Sequence, residues 1–474
     1  MSTHPSIRTL LLAGVATALL PGLAGVTTSA FASAATSSTG RTSPIAWSLA
    51  KVHVSIRSSS DWSTVVLGGV VIAARRGVAS GATVVSPLSN GWSLSGAGTY
   101  QLDTVLAATP ADLKVTVQKG NIGSTSVTIT RAGRTAPLLG LSDLLVGSSS
   151  NPWNTDMGSI ARSALSSAVL RPTDLPRGDS RKLTLAFAYP WFTAYQNAGI
   201  ADKPADARSW DSDAGVLSMT QQAKGHGISG FVLSDAGEQN SGTYLDRTLA
   251  AANATGSVVT PYLETAMAVS DAGTLQTDPV GLVERWLRSA LLRSSDPAFL
   301  KTGGKPVVFV YDMSRLTVDQ WSGMRSRLAA DDLAVDLIGD ATAPAYAACE
   351  GGQHAYSAVD DIPTLAKRSQ WLSVVQRAQS VLDGSSPPPI TVATVSPGYN
   401  DTALRGGANP VVSLDGGRRY ADTWAAALSG TPDWVVVTSW NEWFEGTSIE
   451  PGVVAGGLAL DQTAQQSAYW RSAR

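Results

Sequence analysis

The chain has 474 residues, of which 43% are hydrophobic and 15% charged, and its formal net charge is −2. This length exceeds one ordinary compact domain and fits a barrel of roughly 250 residues plus a smaller module. The composition excludes a disordered chain, and without a Lys/Arg cluster neither nucleic acid nor an anionic membrane surface is expected as the main partner.

The first 34 residues have the pattern of a secretion signal peptide. A weakly charged start with His4 and Arg8 precedes an apolar stretch, and small residues matching an A-x-A cleavage pattern follow it. A membrane anchor is the alternative, but Pro21 and Gly22 interrupt the stretch, which is shorter than the roughly 20 residues that a span needs. We therefore expect a secreted protein that has no membrane contact after cleavage.

Residues 43–131 predict a small all-β sandwich domain. Short runs rich in Val, Ile and Thr are separated by Gly, Ser, Asn and Pro, and they fall at 51–55, 64–73, 82–85, 113–117 and 124–130. Trp62 and Trp92 are interpreted as packing residues of this domain rather than sugar-stacking rings. Residues 132–181 mix Gly, Ser and Pro, with one helix expected around 160–170, and indicate an inter-domain linker.

Residues 182–474 alternate between strand and helix signals. Apolar strand-like runs fall at 183–189, 228–234, 257–263, 306–311, 335–339, 353–356, 391–396 and 434–438. Helical patterns fall at 214–224, 245–253, 280–292, 318–329, 365–382, 420–428 and 461–473. The fold class is therefore α/β, a (β/α)8 TIM-like barrel preceded by the β sandwich. A doubly wound open sheet is the alternative, because little room is left for a helix between the fifth and sixth strands.

Polar and aromatic residues recur where each predicted strand ends. In a closed barrel these ends meet at one rim, where catalytic groups lie. Any one of these residues is more often a helix cap or turn residue, but eight sets at the same end favour a common site. The residues are, strand by strand, Tyr189 and Trp191; Asp235; Glu264; Tyr311 and Asp312; Asp340; His354 and Tyr356; Tyr399 and Asn400; and Glu442 and Glu445.

The last strand runs into a segment in which carboxylates alternate with aromatic rings. If Glu442 and Glu445 share a helical turn, their Cβ atoms lie about 5–6 Å apart, close to the spacing of the carboxyl pair in retaining glycosidases. Burial beside aromatic rings raises a carboxyl pKa, and two like charges separate the two values, so one group can serve as acid and the other as base. Glu450 is interpreted as a structural residue. The alternative is a helix N-terminus stabilised by acidic residues.

Metal and cofactor chemistry is not expected. Cys349 is the only cysteine of this sequence, which excludes an intramolecular disulfide and a thiolate-rich zinc site, and only four histidines are present. We expect a monomer that acts on a polysaccharide or oligosaccharide.

Three segments resemble glycoside hydrolase family 99 and its wider relatives. They are Trp440-Asn441-Glu442-Trp443-Phe444-Glu445-Gly446-Thr447-Ser448-Ile449-Glu450-Pro451, Phe187-Ala188-Tyr189-Pro190-Trp191-Phe192 and Ser396-Pro397-Gly398-Tyr399-Asn400-Asp401. The likeness extends from about Lys182 to Pro451. It implies a (β/α)8 endo-acting α-mannosidase or α-mannanase that retains anomeric configuration without a glycosyl-enzyme bond.

The resemblance also implies residue roles. Glu442 would be the base that acts on the sugar 2-hydroxyl to give a 1,2-anhydro sugar, and Glu445 the general acid that later activates water. The residues expected to bind substrate are Tyr189, Trp191, Asp235, Glu264, Tyr311, Asp312, His354, Tyr356, Tyr399, Asn441 and Trp443. One departure concerns Phe444, because the family often has His there, so the accepted sugar need not be mannose.

The sequence therefore predicts a secreted, retaining, endo-acting hydrolase of internal α-linkages in an α-mannan-like polysaccharide. Two alternatives stay open. One is a non-catalytic carbohydrate-binding protein on a barrel scaffold. The other is a hydrolase of a different glycan with a conventional carboxylate nucleophile, Glu264 or Asp312.

Overall fold

The structure is a computed structural model that describes residues 47–473, apart from 69, 75–77, 89–90, 109–112, 120–122, 132–136, 142–153, 161–167, 171–176, 193–199, 201, 207, 238–240, 269–277, 342–345, 347–348, 384–387 and 408. The expected signal peptide, residues 1–34, lies outside the described residues. No helix within the described ranges has both the length and the apolar character needed to cross a bilayer.

The amino-terminal part forms two antiparallel β sheets. Its strands are β1 (Trp47–Ser58), β2 (Trp62–Gly68), β3 (Val70–Ala74), β4 (Val78–Gly81), β5 (Val84–Leu88), β6 (Gly91–Ser95), β7 (Gly98–Ala108), β8 (Leu113–Lys119), β9 (Thr125–Arg131), β10 (Pro137–Leu141), β11 (Asn154–Ile160) and β12 (Ala168–Leu170). One sheet has the order β10–β9–β1–β7–β3, with β12 paired to β1 and β4 paired to β7; the other has the order β11–β8–β2–β6–β5.

Alternation along the strands explains the core of this β domain. In β1, Val52, Val54 and Ile56 are buried, whereas the residues between them are not, as expected for a strand with one face on the core. Trp92 is buried and its ring centroid lies 6.1 Å from that of Tyr100. The predicted sandwich is confirmed, and Trp92 is a packing residue.

The sheets continue into the stretch that the sequence assigns to a linker. Strands β10, β11 and β12 pair with β9, β8 and β1 respectively. The prediction of a helix around residues 160–170 is wrong at both ends that the structure describes. Strand β11 ends at Ile160, and β12 begins at Ala168. Strand β11 contains only Met157 and Ile160 as large apolar residues, so its place in a sheet comes from pairing with β8 rather than from a local pattern.

The carboxyl-terminal part is a closed barrel of eight parallel strands. They are β13 (Leu183–Ala188), β14 (Gly230–Asp235), β15 (Val258–Glu264), β17 (Lys305–Tyr311), β18 (Asp336–Asp340), β19 (Gly352–His354), β20 (Ile390–Val395) and β21 (Trp434–Val437), with the short β16 (Lys301–Thr302) antiparallel to β17. Strand β21 pairs with both β20 and β13, which closes the ring. The open-sheet alternative is therefore wrong, and the TIM-like barrel is confirmed.

Helices follow most of the barrel strands. They are α1 (Asp213–Gly225), α2 (Ser241–Thr255), α3 (Thr265–Ala268), α4 (Pro279–Leu291), α5 (Val318–Ala330), α6 (Ile362–Asp383), α7 (Thr402–Arg405), α8 (Arg418–Leu428) and α9 (Leu458–Ser472). Local signals set their starts: α5 begins at a capping box of Thr317 and Gln320, and Asp278 caps α4 ahead of Pro279. Helix α6 also lies against β3 and β7 of the β domain.

Each barrel strand is buried on both faces. Alternate residues of β13 divide between two clusters: Leu185 and Phe187 fill the barrel interior, whereas Ala186 and Ala188 pack under the helices. This two-sided burial explains why the strands appear in the sequence as continuous apolar runs.

An ionic cluster lies at the amino end of β21. The carboxylate of Asp433, fully buried, accepts hydrogen bonds from the backbone and hydroxyl of Thr391 at 2.9 and 3.1 Å. It also accepts from Arg177 Nε at 3.1 Å and from the Gly178 amide at 3.2 Å. The buried guanidinium of Arg377 lies 3.7 Å from the same carboxylate. The cluster thus holds the segment of Arg177 and Gly178, which precedes β13, against the amino ends of β20 and β21.

Candidate active site

The carboxylate-rich segment after β21 folds back on itself. The Ser439 amide donates to the Thr447 carbonyl at 2.9 Å, and the Ile449 amide donates to the Ser439 carbonyl at 2.9 Å. Between them lies one 3₁₀ turn, Trp443–Glu445, which ends at Gly446 in the left-handed conformation (φ 62°). A β-carbon at Gly446 would also lie 3.2 Å from the Asn400 backbone, so glycine suits this position for both reasons.

This turn brings Glu442 and Glu445 together. Glu442 directly precedes the turn that Glu445 ends, and the charge of Glu445 acts on the Glu442 carboxyl. The expected juxtaposition is therefore present, on a tighter turn than an α-helix. A single turn is not a helix whose N-terminus needs acidic residues, so that alternative is wrong.

Both carboxyls are buried, with 6% of Glu442 and 4% of Glu445 exposed. Burial raises the pKa of Glu442 well above its ordinary value, and the neighbouring charge of Glu445 raises it further. Burial also raises the pKa of Glu445, but the Arg405 guanidinium beside it opposes this rise. Of the two carboxyls, Glu442 therefore holds a proton more strongly than Glu445.

Tyrosine hydroxyls connect the first and sixth strand ends to Glu445. Tyr189 Oη donates to Tyr356 Oη at 2.7 Å, and Tyr356 Oη donates to Glu445 Oε2 at 3.5 Å. The Tyr311 ring meets the Tyr356 ring edge-on at 5.7 Å. Tyr311, Tyr356, Tyr399 and Glu445 also line a cavity of about 80 Å³. The structure thus brings Tyr189, Tyr311, Tyr356 and Tyr399 to the carboxyl pair.

Arg405 is a site residue that the sequence reasoning missed. Its Nη1 lies 2.7 Å from Asp401 Oδ2, 3.0 Å from Tyr399 Oη and 3.3 Å from Glu445 Oε1. The available signal was the pairing of Asp401 with Arg405 four residues on, directly after the seventh strand.

Glu264 and Asp312 do not suit the role of nucleophile. Burial raises the pKa of Glu264 to about 8, against an opposing hydrogen bond that Ser234 Oγ donates at 2.7 Å. Glu264 is therefore largely protonated at neutral pH. Asp312 forms an ion pair with Arg315 at 2.6 Å and accepts from Ser314 Oγ. Each of these carboxyls is held by a neighbouring side chain, which argues against the conventional-nucleophile alternative.

An aromatic wall flanks the carboxyl pair. Trp191 and Phe444, both half-buried, have nearly parallel rings whose centroids lie 6.3 Å apart, and the Phe192 ring meets Phe444 edge-on at 5.4 Å. Trp443 is buried against Phe192, so it supports the wall rather than forming its surface.

Glu450 has the structural role expected for it. Its Oε2 accepts from Trp443 Nε1 at 3.3 Å, and its Oε1 accepts from Arg208 at 3.2 Å. Burial raises the pKa of Glu450 to about 7. The residue therefore orients the indole of Trp443 from behind the wall.

The prediction of a substrate-binding His354 is wrong. The side chain is fully buried and packs against the rings of Phe187, Tyr262 and Phe309, with centroids 5.4 to 5.8 Å away. Burial lowers its pKa to about 3. His354 ends the three-residue strand β19 and points into the barrel interior instead of the rim.

Asn441 is also a structural residue rather than a sugar contact. Its Oδ1 accepts from the Tyr189 amide at 2.8 Å, and its Nδ2 donates to the Tyr189 carbonyl at 2.9 Å. This reciprocal pair joins the ends of β13 and β21.

Asp235 is partly engaged by its own turn, where it accepts a hydrogen bond from the Gly237 amide at 2.9 Å. The described residues contain no group of three or more His, Cys, Asp or Glu side chains placed to hold a metal ion.

Thermal stability is expected to fall between pH 6.5 and pH 8. The folded protein holds the Glu264 proton up to about pH 8, whereas the unfolded chain releases it near pH 4.5. Stability present at low pH is therefore lost as the pH rises, by up to about 1.4 kcal/mol per pH unit for this group. Differential scanning calorimetry of wild type and Glu264→Gln measures the effect, since Gln carries no titrating proton.

Other buried carboxyls, among them Asp340 and Glu450 with pKa values raised to about 7, lose stability in the same window, so the prediction concerns the difference in slope between wild type and Glu264→Gln. His354 has its folded pKa lowered to about 3, so it destabilises the folded state only below about pH 6.5, where the unfolded imidazole gains its proton. A Glu284→Gln variant is the control, because Glu284 has a lowered pKa and does not titrate in this range. An equal pH slope in wild type and Glu264→Gln would contradict the prediction.

Comparison with known proteins supports the family resemblance. Residues 292–464 match the family model of glycosyl hydrolase family 99. A glycoprotein endo-alpha-1,2-mannosidase-like protein of Danio rerio is 44% identical over 83 residues, which are 17% of this chain and 19% of the relative. The corresponding Mus musculus protein is 37% identical over 83 residues, 17% of this chain and 18% of the relative. The matched segment thus spans about a fifth of these relatives.

Solved structures share the barrel fold. The GH99 endo-alpha-mannosidase of Bacteroides thetaiotaomicron, in complex with bis-tris propane, has a TM-score of 0.51 and 19% sequence identity, over 61% of this chain and 97% of that one. The predicted family resemblance is therefore confirmed, and the matched residues include two of the three motif segments, with Glu442 and Glu445.

Proposed function

We propose that this protein is a retaining, endo-acting glycoside hydrolase that cleaves internal α-linkages of an α-mannan-like polysaccharide. One observation carries the proposal: Glu442 and Glu445 are buried together after the eighth barrel strand, within the region that matches family 99. A pair of carboxyls at one site is what acid–base cleavage of a glycosidic bond requires.

The proposed reaction has two steps. In the first, Glu442 accepts the proton of the sugar 2-hydroxyl as O2 closes on C1, while Glu445 gives its proton to the leaving oxygen as the C1–O bond breaks. In the second, Glu445 takes a proton from water as the water oxygen attacks C1, the C1–O2 bond breaks, and Glu442 returns its proton to O2. Two inversions at C1 give net retention, and both carboxyls end in their starting states.

Binding of the sugar is assigned to the tyrosines and the aromatic wall. Tyr189, Tyr356 and Tyr399 offer hydroxyls beside Glu445, and Trp191 with Phe444 offers an apolar surface to a sugar face. Phe444 cannot hydrogen-bond a sugar hydroxyl, so we propose that the unit accepted there differs from that of enzymes with His at this position.

Trp191→Ala is expected to raise KM by ~10-fold or more while kcat changes little. Burying an aromatic ring against a ligand contributes about 1.5–3 kcal/mol, and 1.4 kcal/mol corresponds to a factor of ten. Initial rates over a range of glycan concentrations measure KM, and the KM of Trp191→Phe should lie between those of wild type and Trp191→Ala. Tyr469→Ala is the control, because Tyr469 is half exposed on α9. An unchanged KM would contradict the assignment.

Export is part of the proposal. The apolar stretch of the first 34 residues, with its small-residue cleavage pattern, supports a secreted enzyme. A polysaccharide outside the cell is then the natural substrate, and we propose that the enzyme acts as a monomer.

A glycan screen tests the function. The mature chain is incubated with α-mannans, α-glucans and arabinans, and new reducing ends are followed beside Glu442→Gln and Glu445→Gln. Cleavage of one glycan into internal fragments, lost in both variants, supports the proposal. Binding without cleavage of any glycan would favour a carbohydrate-binding protein, and undiminished turnover in both variants would overturn the site. Proton NMR of the first product reports retention.

A further inference from the structure

Arg405 contacts Glu445 directly, whereas only its charge acts on Glu442. It ends the short helix α7, and Gly406, in the left-handed conformation (φ 64°), turns the chain away at once. Only 8% of the Arg405 side chain is exposed. Its Nη1 contacts Glu445 Oε1 at 3.3 Å. A second link holds the two segments in register, since the Asn400 amide donates to the Glu445 carbonyl at 2.7 Å.

Asp401 fixes the guanidinium from the other side. The carboxylate is fully buried and accepts from Arg405 at 2.7 Å, from Tyr399 Oη at 2.9 Å and from Asn409 Nδ2. Burial acts to raise the pKa of Asp401, but these three hydrogen bonds outweigh it and lower the pKa. Asp401 therefore stays ionised and holds Arg405 in place while the guanidinium faces Glu445.

The two-step reaction moves the negative charge between the catalytic carboxyls. Before the first step Glu442 must be ionised and Glu445 protonated. After it, Glu442 holds the proton of the sugar 2-hydroxyl and Glu445, having protonated the leaving oxygen, carries the charge. Arg405 favours this second distribution, because it contacts Glu445 directly and acts on Glu442 only through its charge.

We propose that Arg405 is a positioning residue that stabilises the Glu445 carboxylate formed when the leaving group departs. The guanidinium lies where charge develops in the first step, and stabilisation at such a point lowers the barrier more than it stabilises the bound substrate. It then holds Glu445 as the base that activates water. This inference rests on the hydrolase function proposed above.

Other groups also face Glu445, and none of them supplies positive charge. Those with charges or titrating hydroxyls are Asp401 and Tyr399 after β20, Tyr356 after β19, Tyr311 of β17, Glu264 of β15 and Glu442 beside the turn. Among the described residues, Arg405 is thus the cation against which the ionisation of Glu445 is set.

The first test needs no substrate. The full chain is labelled with ¹³C at the Glu side-chain carboxyls, Glu442→Gln and Glu445→Gln assign the two signals, and both are titrated in wild type, Arg405→Lys and Arg405→Gln. The Glu445 titration should move to higher pH by one unit or more in Arg405→Gln and by less in Arg405→Lys. Arg247→Gln, on the outer face of α2, should leave it unchanged. An unmoved Glu445 titration in folded Arg405→Gln overturns the proposal.

The second test uses turnover of the glycan identified by the screen. Arg405→Gln is expected to lower kcat by ~10²-fold with a smaller change in KM, as for removal of one charge-stabilising donor, and Arg405→Lys should restore part of it. The limb of the pH–rate profile that reports Glu445 should move with its NMR titration. If Arg405→Gln and Arg405→Lys lose the same factor in kcat and the pH–rate profile does not move, Arg405 is merely structural and the proposal is overturned. Absence of turnover in wild type would instead count against the hydrolase function, and the NMR result would stand by itself.

Discussion

A Glu445→Gln variant is expected to lose at least ~10³-fold in kcat/KM on an unactivated glycan. Gln matches the shape of Glu but can neither protonate the leaving oxygen nor take a proton from water, and general acid–base catalysis contributes about 10²–10⁴-fold. Glu442→Gln should lose a similar factor, because the 2-hydroxyl then keeps its proton. Initial rates and thermal unfolding of the same preparations measure the two effects.

The leaving group separates the two roles. With a 2,4-dinitrophenyl glycoside of the cleaved fragment, departure needs no protonation, so Glu445→Gln should recover most of the first-turnover release of dinitrophenol, whereas Glu442→Gln should not. The opposite pattern would exchange the two roles. Glu284→Gln is the control, because Glu284 of α4 is paired with Arg288 of α4 and Arg327 of α5.

Asp433→Ala is expected to lower the free energy of unfolding by about 3–5 kcal/mol. The change leaves the Arg377 guanidinium, 1% exposed, without its buried counter-charge, and breaking a buried ion pair by removing one partner costs about that much. It also leaves the Thr391 amide and hydroxyl without their acceptor. Thermal and urea denaturation measure the loss.

A double variant identifies the cause. If the loss comes from an uncompensated charge, Asp433→Ala with Arg377→Met should be less destabilised than Asp433→Ala alone. Asp213→Ala is the control: the Asp213 side chain is 88% exposed in its pair with Arg247, so a change within about 1 kcal/mol is expected. Equal losses in Asp433→Ala and Asp213→Ala would contradict the argument.

The barrel could be predicted from the sequence because its strands are buried on both faces. Apolar runs such as those of β17 and β21 stand out from amphipathic helices such as α4, and the observed bounds differ from the expected ones by only a few residues. The short strands β11 and β12 could not be predicted, because they owe their place to pairing with distant strands.

The candidate site, like the fold, could be predicted from the sequence only in part. Glu442 and Glu445 could be predicted from the sequence because they lie on one local turn. The misplacement of His354 and Asn441 has one cause: being near a strand end does not say whether a side chain faces the cleft, the barrel interior or a neighbouring backbone. Arg405 was missed because its importance depends on a contact with a residue 40 positions away.

The buried Asp433 cluster lies at the opposite end of β21 from the turn that carries Glu442 and Glu445. Loops at the catalytic rim can therefore accumulate substitutions without weakening the anchor of the fold. Directed evolution toward a new glycan would start from rim positions such as Trp191 and Phe444. The Asp433 cluster would be kept unchanged, so that the fold tolerates destabilising substitutions at the rim.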